Sequence, residues 1–170
     1  MKVSIAKIKA KPHSALDFSL AEPVNAAAYG YDEFSVTGPL SVSGRLKNDG
    51  GGSFSAELEW RGSIVQQCGR CGQPFTAPVS GSLRTSFTLD GQADAAGEDQ
   101  RWTVVDDEAD LAEAVLNEIW FHCPMQPLCR PDCRGLCPVC GADLNQSSCT
   151  CGQDDIDPRW EKLKSLKFEH

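Results

Sequence analysis

The residues best equipped for chemistry are the nine cysteines of this 170-residue chain, because they recur in close pairs. Cys137-Pro138-Val139-Cys140-Gly141 is followed, with eight residues between Cys140 and Cys149, by Cys149-Thr150-Cys151-Gly152, so four thiols fall within fifteen residues. A CxxC whose second cysteine precedes a glycine can curl into a knuckle that turns both sulfurs to one side and aims backbone amides at them. Gly141 supplies that backbone freedom. Zinc takes four soft ligands at about 2.3 Å in a tetrahedron, and Cys149 and Cys151 complete the set if their segment bends out of a straight strand. A second set joins Cys68 and Cys71 to Cys129 and Cys133. It would clip a distal segment back onto the element carrying Cys68 and Cys71, so zinc there acts as a tertiary staple. The spacing leaves the partition open: the alternative to two ions is one, held by Cys68 and Cys71 with two of the later cysteines. Cys123 is left over and reads as a small buried hydrophobe.

Other uses of these thiols fit less well. Disulfides belong to oxidising compartments, whereas the odd count, the CxxC clustering and a start (residues 1–12) without a long apolar block point to the cytosol. A redox CxxC needs a parallel βαβ setting, and the residues around Cys68 read as antiparallel. Catalytic zinc keeps one position for water and usually includes histidine or carboxylate ligands. The only histidines are His13, His122 and His170, and none stands in an HExxH arrangement. There is no GxSxG, Walker loop or GxGxxG in a strand-to-helix context. Asp106, Asp107, Glu108 and Asp110 read as an acidic helix entry. The chain is therefore expected not to be an enzyme.

The formal charge of −8 argues against broad, charge-driven nucleic-acid binding, which needs a basic face. Two local groups could still meet RNA: Lys2, Lys7, Lys9 and Lys11 near the start, and Arg159, Lys162, Lys164 and Lys167 near the end. Each also fits a plain solvated face. No apolar run approaches the roughly 18 residues of a membrane span, so no membrane partner is expected.

The elements that must carry the cysteines are mostly strands. Phe54, Ala56, Leu58 and Trp60, then Val79, Leu83, Phe87 and Leu89, follow a period of two, and Asn48-Asp49 with Gly50 to Gly52 marks a reversal. An antiparallel meander follows, with a strand pair at about 63–68 and 75–89 joined by Cys68-Gly69-Arg70-Cys71-Gly72. Residues 90–100 read as an exposed, mobile loop and 102–105 as a short strand. Asp110 then caps a helix in which Leu111, Val115 and Ile119 share a face widened by Ala114, Leu116 and Trp120, until Pro124 and Pro127 end it. Beyond Pro127 apolar content is too low for folding by burial alone. Residues 157–168 suit a short helix carrying Trp160, Leu163 and Leu166 on one side. The expected class is α+β: an antiparallel β-rich sheet or partly open barrel with one main helix and a zinc-stapled, ribbon-like C-terminal segment. The parts are a core over 1–122, a cysteine-rich segment over 123–152 and a helix or tail over 153–170.

These residues also carry a resemblance. Pro124-Met125-Gln126-Pro127-Leu128-Cys129, Cys133-Arg134-Gly135-Leu136-Cys137-Pro138-Val139-Cys140-Gly141, Leu144-Asn145, Cys149-Thr150-Cys151 and Asp157-Pro158-Arg159-Trp160 resemble the YceD family of large ribosomal RNA subunit accumulation proteins. Cys68-Gly69-Arg70-Cys71 with Pro74-Phe75 matches it as well, as does the acidic-to-apolar run over 106–120. The resemblance implies a bacterial or plastid-type cytoplasmic factor in ribosome biogenesis, needed for accumulation or processing of large-subunit ribosomal RNA. Its partners would be a large-subunit precursor particle, the RNA or a ribosomal protein, with one or two structural Zn2+ ions as cofactor. It also implies that the Cys68/Cys71 pair is the more widely shared element and the Cys137 to Cys151 set an elaboration, with zinc as scaffold. The rival functions are a zinc-ribbon adaptor with protein partners and a zinc-dependent RNA-processing enzyme.

Overall fold

A computed structural model describes residues 1–89 and 101–151, the side chain of Arg101 excepted. The chain runs through β1 (Lys2–Ser4), α1 (Ala6–Lys9), β2 (Ala15–Pro23), a 3-10 turn at Ala26–Tyr29, β3 (Ser35–Gly50), β4 (Ser53–Gln67), β5 (Pro74–Leu89), β6 (Arg101–Val104), β7 (Glu108–Asp110) and α2 (Leu111–His122). Five strands form one open sheet in the order β2-β3-β4-β5-β6, and β1 pairs with β7 in a second, two-stranded one. The architecture is thus mostly β with one main helix.

Period-two patterning explains the large sheet, because alternate side chains of a strand share a face. On β3 the buried apolar residues are Leu40, Val42 and Leu46, and on β4 they are Phe54, Ala56, Leu58, Trp60 and Ile64. The register sets Val42 opposite Trp60, Leu46 opposite Ala56, and Phe54 opposite Phe87. β4 is one continuous strand, not two. Gly62 does not break it, and the irregularity falls on β3, where the register shifts between Thr37 and Ser41.

The meander is antiparallel from β2 to β5, but β6 lies parallel to β5, with Phe87 opposite Trp102 and Leu89 opposite Val104. This makes the sheet mixed. A parallel neighbour requires a crossover. The loop expected over 90–100 lies outside the described residues, as does the helix expected over 157–168 with its basic residues.

Helix α2 closes the core. Asp110 accepts from the Ala112 amide at 2.9 Å as its N-cap, and Leu111, Ala112, Ala114, Val115, Leu116 and Ile119 are buried. Trp120 is a correction to the expected stripe: it is 43% exposed and stacks edge-on with the more exposed Phe121. The first residues also contribute more than their sequence suggested. Val3, Ile5 and Ile8 enter the core, and β1 sets Val3 opposite Ala109 of β7. Asn48 is a buried anchor as well as a turn residue: its side-chain N–H groups donate to the carbonyls of Ile8 and Lys9, and its Oδ1 accepts from the Gly50 amide at 2.8 Å. Among the described residues, no helix is long and apolar enough to cross a membrane.

Candidate metal centres

The β4–β5 reversal carries the first knuckle. The Gly72 amide donates to the Cys68 carbonyl at 2.8 Å, and the Cys68 amide donates to Gln73 at 2.9 Å. The same two bonds recur in the second: Gly141 N–H to the Cys137 carbonyl at 2.9 Å, and Cys137 N–H to Ala142 at 2.8 Å. Gly72 and Gly141 have φ of 69° and 72°, a conformation that costs glycine little and other residues more. Two stretches remote in sequence thus fold into the same turn.

Each knuckle brings its pair of sulfurs to a second pair. Cys68 and Cys71 meet Cys129 and Cys133, while Cys137 and Cys140 meet Cys149 and Cys151, and within each set all sulfurs lie within 4.8 Å of one another. The structure therefore gathers all eight predicted residues, in two separate sets of four. The Sγ atoms of Cys68 and Cys133 are 3.8 Å apart, as are those of Cys71 and Cys129. The edge of a sulfur tetrahedron built on zinc bonds of about 2.3 Å is about 3.8 Å, whereas a disulfide needs about 2.05 Å. The donor set fits a zinc ion. The bend expected at Cys149 and Cys151 is not a requirement, because alternate residues of an extended chain project to the same side. Both lie in a stretch without regular structure.

The two clusters differ in burial. Cys68, Cys71 and Cys133 are buried and pack with Phe75, Leu128 and Cys129 in a small second core. In the other cluster Cys137 is buried, Cys149 and Cys151 are half-buried and Cys140 is exposed.

Electrostatics prepares both sites in the same way. The Cys68 thiol is lowered to about 6, first by the amide of Cys129 and then by that of Cys71. The Cys137 thiol is lowered to about 6 by the amides of Cys140 and Val139, the latter 3.4 Å from the sulfur. Opposing this, burial and then its neighbouring thiols push Cys129 up to about 12. Cys140 and then burial do the same to Cys151. Backbone amides thus favour one thiolate in each cluster, and crowding resists a full set. A divalent cation at the centre removes that resistance.

Cys123 stands apart at the end of α2, half-buried against the main core, where burial raises its thiol. His122 bonds through Nδ1 to the Glu118 carbonyl oxygen at 2.9 Å, as a helix-end residue. The acidic run has a use the sequence did not disclose: Glu108 pairs with Lys2, and Asp107 with Lys9. Two of the lysines singled out for RNA contact are therefore engaged within the chain. The site residue that sequence reasoning passed over is Asn145, whose side chain donates to Cys133 Sγ at 3.4 Å. Its pairing with Leu144 in the family-like run was the one available signal.

The family model described as "Large ribosomal RNA subunit accumulation protein YceD" matches residues 56–167. A protein described as uncharacterized from Mycobacterium tuberculosis (strain ATCC 25618 / H37Rv) is 38% identical over 104 residues, covering 60% of this chain and 50% of the relative. One from Mycobacterium leprae is 33% identical over 104 residues, 60% of this chain and 48% of the relative. The chain spans about half the length of these relatives. The Zea mays protein named "Large ribosomal RNA subunit accumulation protein YCED homolog 1, chloroplastic" is 34% identical over 73 residues, 42% of this chain and 25% of that protein. No solved structure matches.

Proposed function

We propose, from the premise that this chain belongs to the YceD family, that it is a cytoplasmic, non-catalytic factor supporting the accumulation of large-subunit ribosomal RNA. In this reading residues 1–122 form the β-rich body and 123–152 the cysteine-rich segment, while 153–170 lie outside the described residues. Two structural zinc ions are held, one by Cys68, Cys71, Cys129 and Cys133 and the other by Cys137, Cys140, Cys149 and Cys151. The observation that carries the non-catalytic reading is the donor set of both clusters. Four thiolates fill the tetrahedron of a zinc ion and leave no position for an activated water. Zinc here supplies charge neutralisation and cross-linking. The chain's residues supply the amide-lined knuckles and the apolar wall of Phe75 and Leu128. The factor would act by binding a precursor particle, its RNA or a ribosomal protein.

Depletion of the protein tests this. Mature large-subunit RNA is expected to fall while small-subunit RNA holds, and unchanged levels with an unchanged precursor profile would refute the reading. One observation favours a second reading, an adaptor with protein partners: Lys2 and Lys9 are paired with acids, and the chain is acidic overall. Affinity purification with and without nuclease separates the two. Partners that survive nuclease treatment identify the adaptor.

A further inference from the structure

One side chain reaches from the loop of one cluster to a sulfur of the other. Asn145 lies in the loop between Cys140 and Cys149, so by sequence it belongs to the exposed cluster, yet its amide reaches the buried one. Its Nδ2 donates to Cys133 Sγ at 3.4 Å and to Asp143 Oδ1 at 2.8 Å. Its Oδ1 accepts from the Arg134 amide at 2.8 Å and from Arg130 Nη2 at 2.7 Å. A flipped amide would set an NH2 group against two donors, so the network fixes the orientation and the group is fully used. Asp143 holds the backbone beneath it, accepting from the Asn145 amide at 2.9 Å and from Gln146 Nε2 at 3.0 Å.

The surrounding chain is joined in the same sense. The Leu144 amide donates to the Gly135 carbonyl at 2.9 Å, and Arg70 in the first knuckle donates through Nη1 to the Cys133 carbonyl at 2.9 Å. Gly135, with φ of 74°, lies so close to Arg70 that a Cβ there would stand 3.0 Å from the Arg70 carbonyl oxygen. The first knuckle, the segment from Cys133 to Leu136 and the 140–149 loop are thus three layers in contact, and Asn145 joins the last two.

We propose that Asn145 couples the clusters, so that the exposed one governs how firmly the buried one holds its ion. The proposal rests on the zinc reading above. An amide N–H donated to a thiolate draws off part of its charge and fixes its direction, and such outer partners are typically worth roughly 10–100-fold in metal affinity. Asn145 sits on the loop that Cys149 and Cys151 close onto Cys137 and Cys140, so its hold on Cys133 rests on that closure as well as on Arg130, Arg134 and Asp143. Cys140 is exposed, so a chelator reaches this cluster first. Its opening withdraws the N–H from Cys133, and the buried ion is then released more readily. The coupling is reciprocal in affinity.

The test begins with the zinc content of the wild-type chain, where about two ions are expected from the two tetrathiolate sets. Zinc transfer to a chromogenic chelator is then followed for the wild type, Asn145→Ala, Asn145→Asp and the pair Cys149→Ser/Cys151→Ser. Cobalt-loaded spectra report the coordination. Asn145→Ala is expected to weaken retention at the buried cluster roughly 10–100-fold. Asn145→Asp, equal in size but without the N–H, should do at least as much and serves if the alanine variant fails to fold. The double serine variant should weaken the buried cluster similarly, and adding Asn145→Ala to it should change nothing further. Equal retention in the wild type and both Asn145 variants, or additive losses in the combination, would overturn the coupling and leave the zinc reading intact. A wild-type chain without metal would instead overturn both.

Discussion

Asp110 bridges a helix start and a tyrosine, and its Oδ1 also lies 3.6 Å from the Met1 amino group. Its Oδ1 accepts from the Ala112 amide at the start of α2, and its Oδ2 accepts from the Tyr29 hydroxyl at 2.9 Å. Asp110→Ala removes a helix cap and the tyrosine's acceptor together, so unfolding should become easier by roughly 1–3 kcal/mol in urea titrations. Asp110→Asn keeps one acceptor oxygen, enough for the helix cap, and turns an NH2 group towards the tyrosine, so it should cost less than the alanine. The same contact sets an alkaline pH dependence. Burial, then the bond to Asp110, raises the Tyr29 hydroxyl from its ordinary 10 to about 12. A group raised in the folded state binds its proton more tightly there, so its contribution is complete below about pH 10 and is lost as pH climbs towards about 12. Tyr31 is raised in the same direction, again first by burial. Stability measured at pH 9 and pH 11 should therefore fall, and Tyr29→Phe should flatten part of that fall. An unchanged slope in the variant would remove Tyr29 as a source.

At the scale of elements, α2 ties the strands to the second sheet. Leu116 and Ile119 are at most 1% exposed, whereas Phe121 is 66% exposed. Leu116→Ala should cost roughly 2–5 kcal/mol through lost burial and an unfilled cavity, while Phe121→Ala should stay within about 0.5 kcal/mol. Thermal denaturation of the two variants side by side checks the contrast. This helix was legible in sequence because Leu111, Val115 and Ile119 repeat every four residues beneath an acidic cap. The long strands β3 to β5 were legible through their period of two, and the second knuckle through the glycine after Cys140. Three features were not. Period two states which face is buried but not which way a neighbour runs, so the parallel pairing of β6 left no mark. β1 and α1 hold three and four residues, too few for any period to show. The contact from Asn145 to Cys133 depends on the folding of a loop that carries only its own turn signals.

At the scale of the whole molecule, the chain has two kinds of interior. The main one is hydrocarbon, running from Val3 and Ile8 through Phe54, Trp60 and Phe87 to α2. The second is built around the sulfurs of Cys68, Cys71 and Cys133, with Phe75 and Leu128 beside them. Burial alone can hold the first. The second has too little apolar surface for that, and structural zinc supplies roughly 10–16 kcal/mol in comparable small sites, as much as the roughly 5–15 kcal/mol of a whole domain. Removing metal should therefore act unevenly. With a strong chelator under reducing conditions, amides from Cys129 to Cys151 should lose protection against hydrogen exchange. Those of α2 and the β3–β4 pair should keep theirs, and the β4–β5 reversal should loosen only near Cys68 and Cys71. Thiol titration should then rise by eight, the cysteines of the two clusters. Loss of protection across α2 and β3 at the same chelator concentration would mean that the sulfur interior supports the hydrocarbon one and that the chain unfolds as a single cooperative unit.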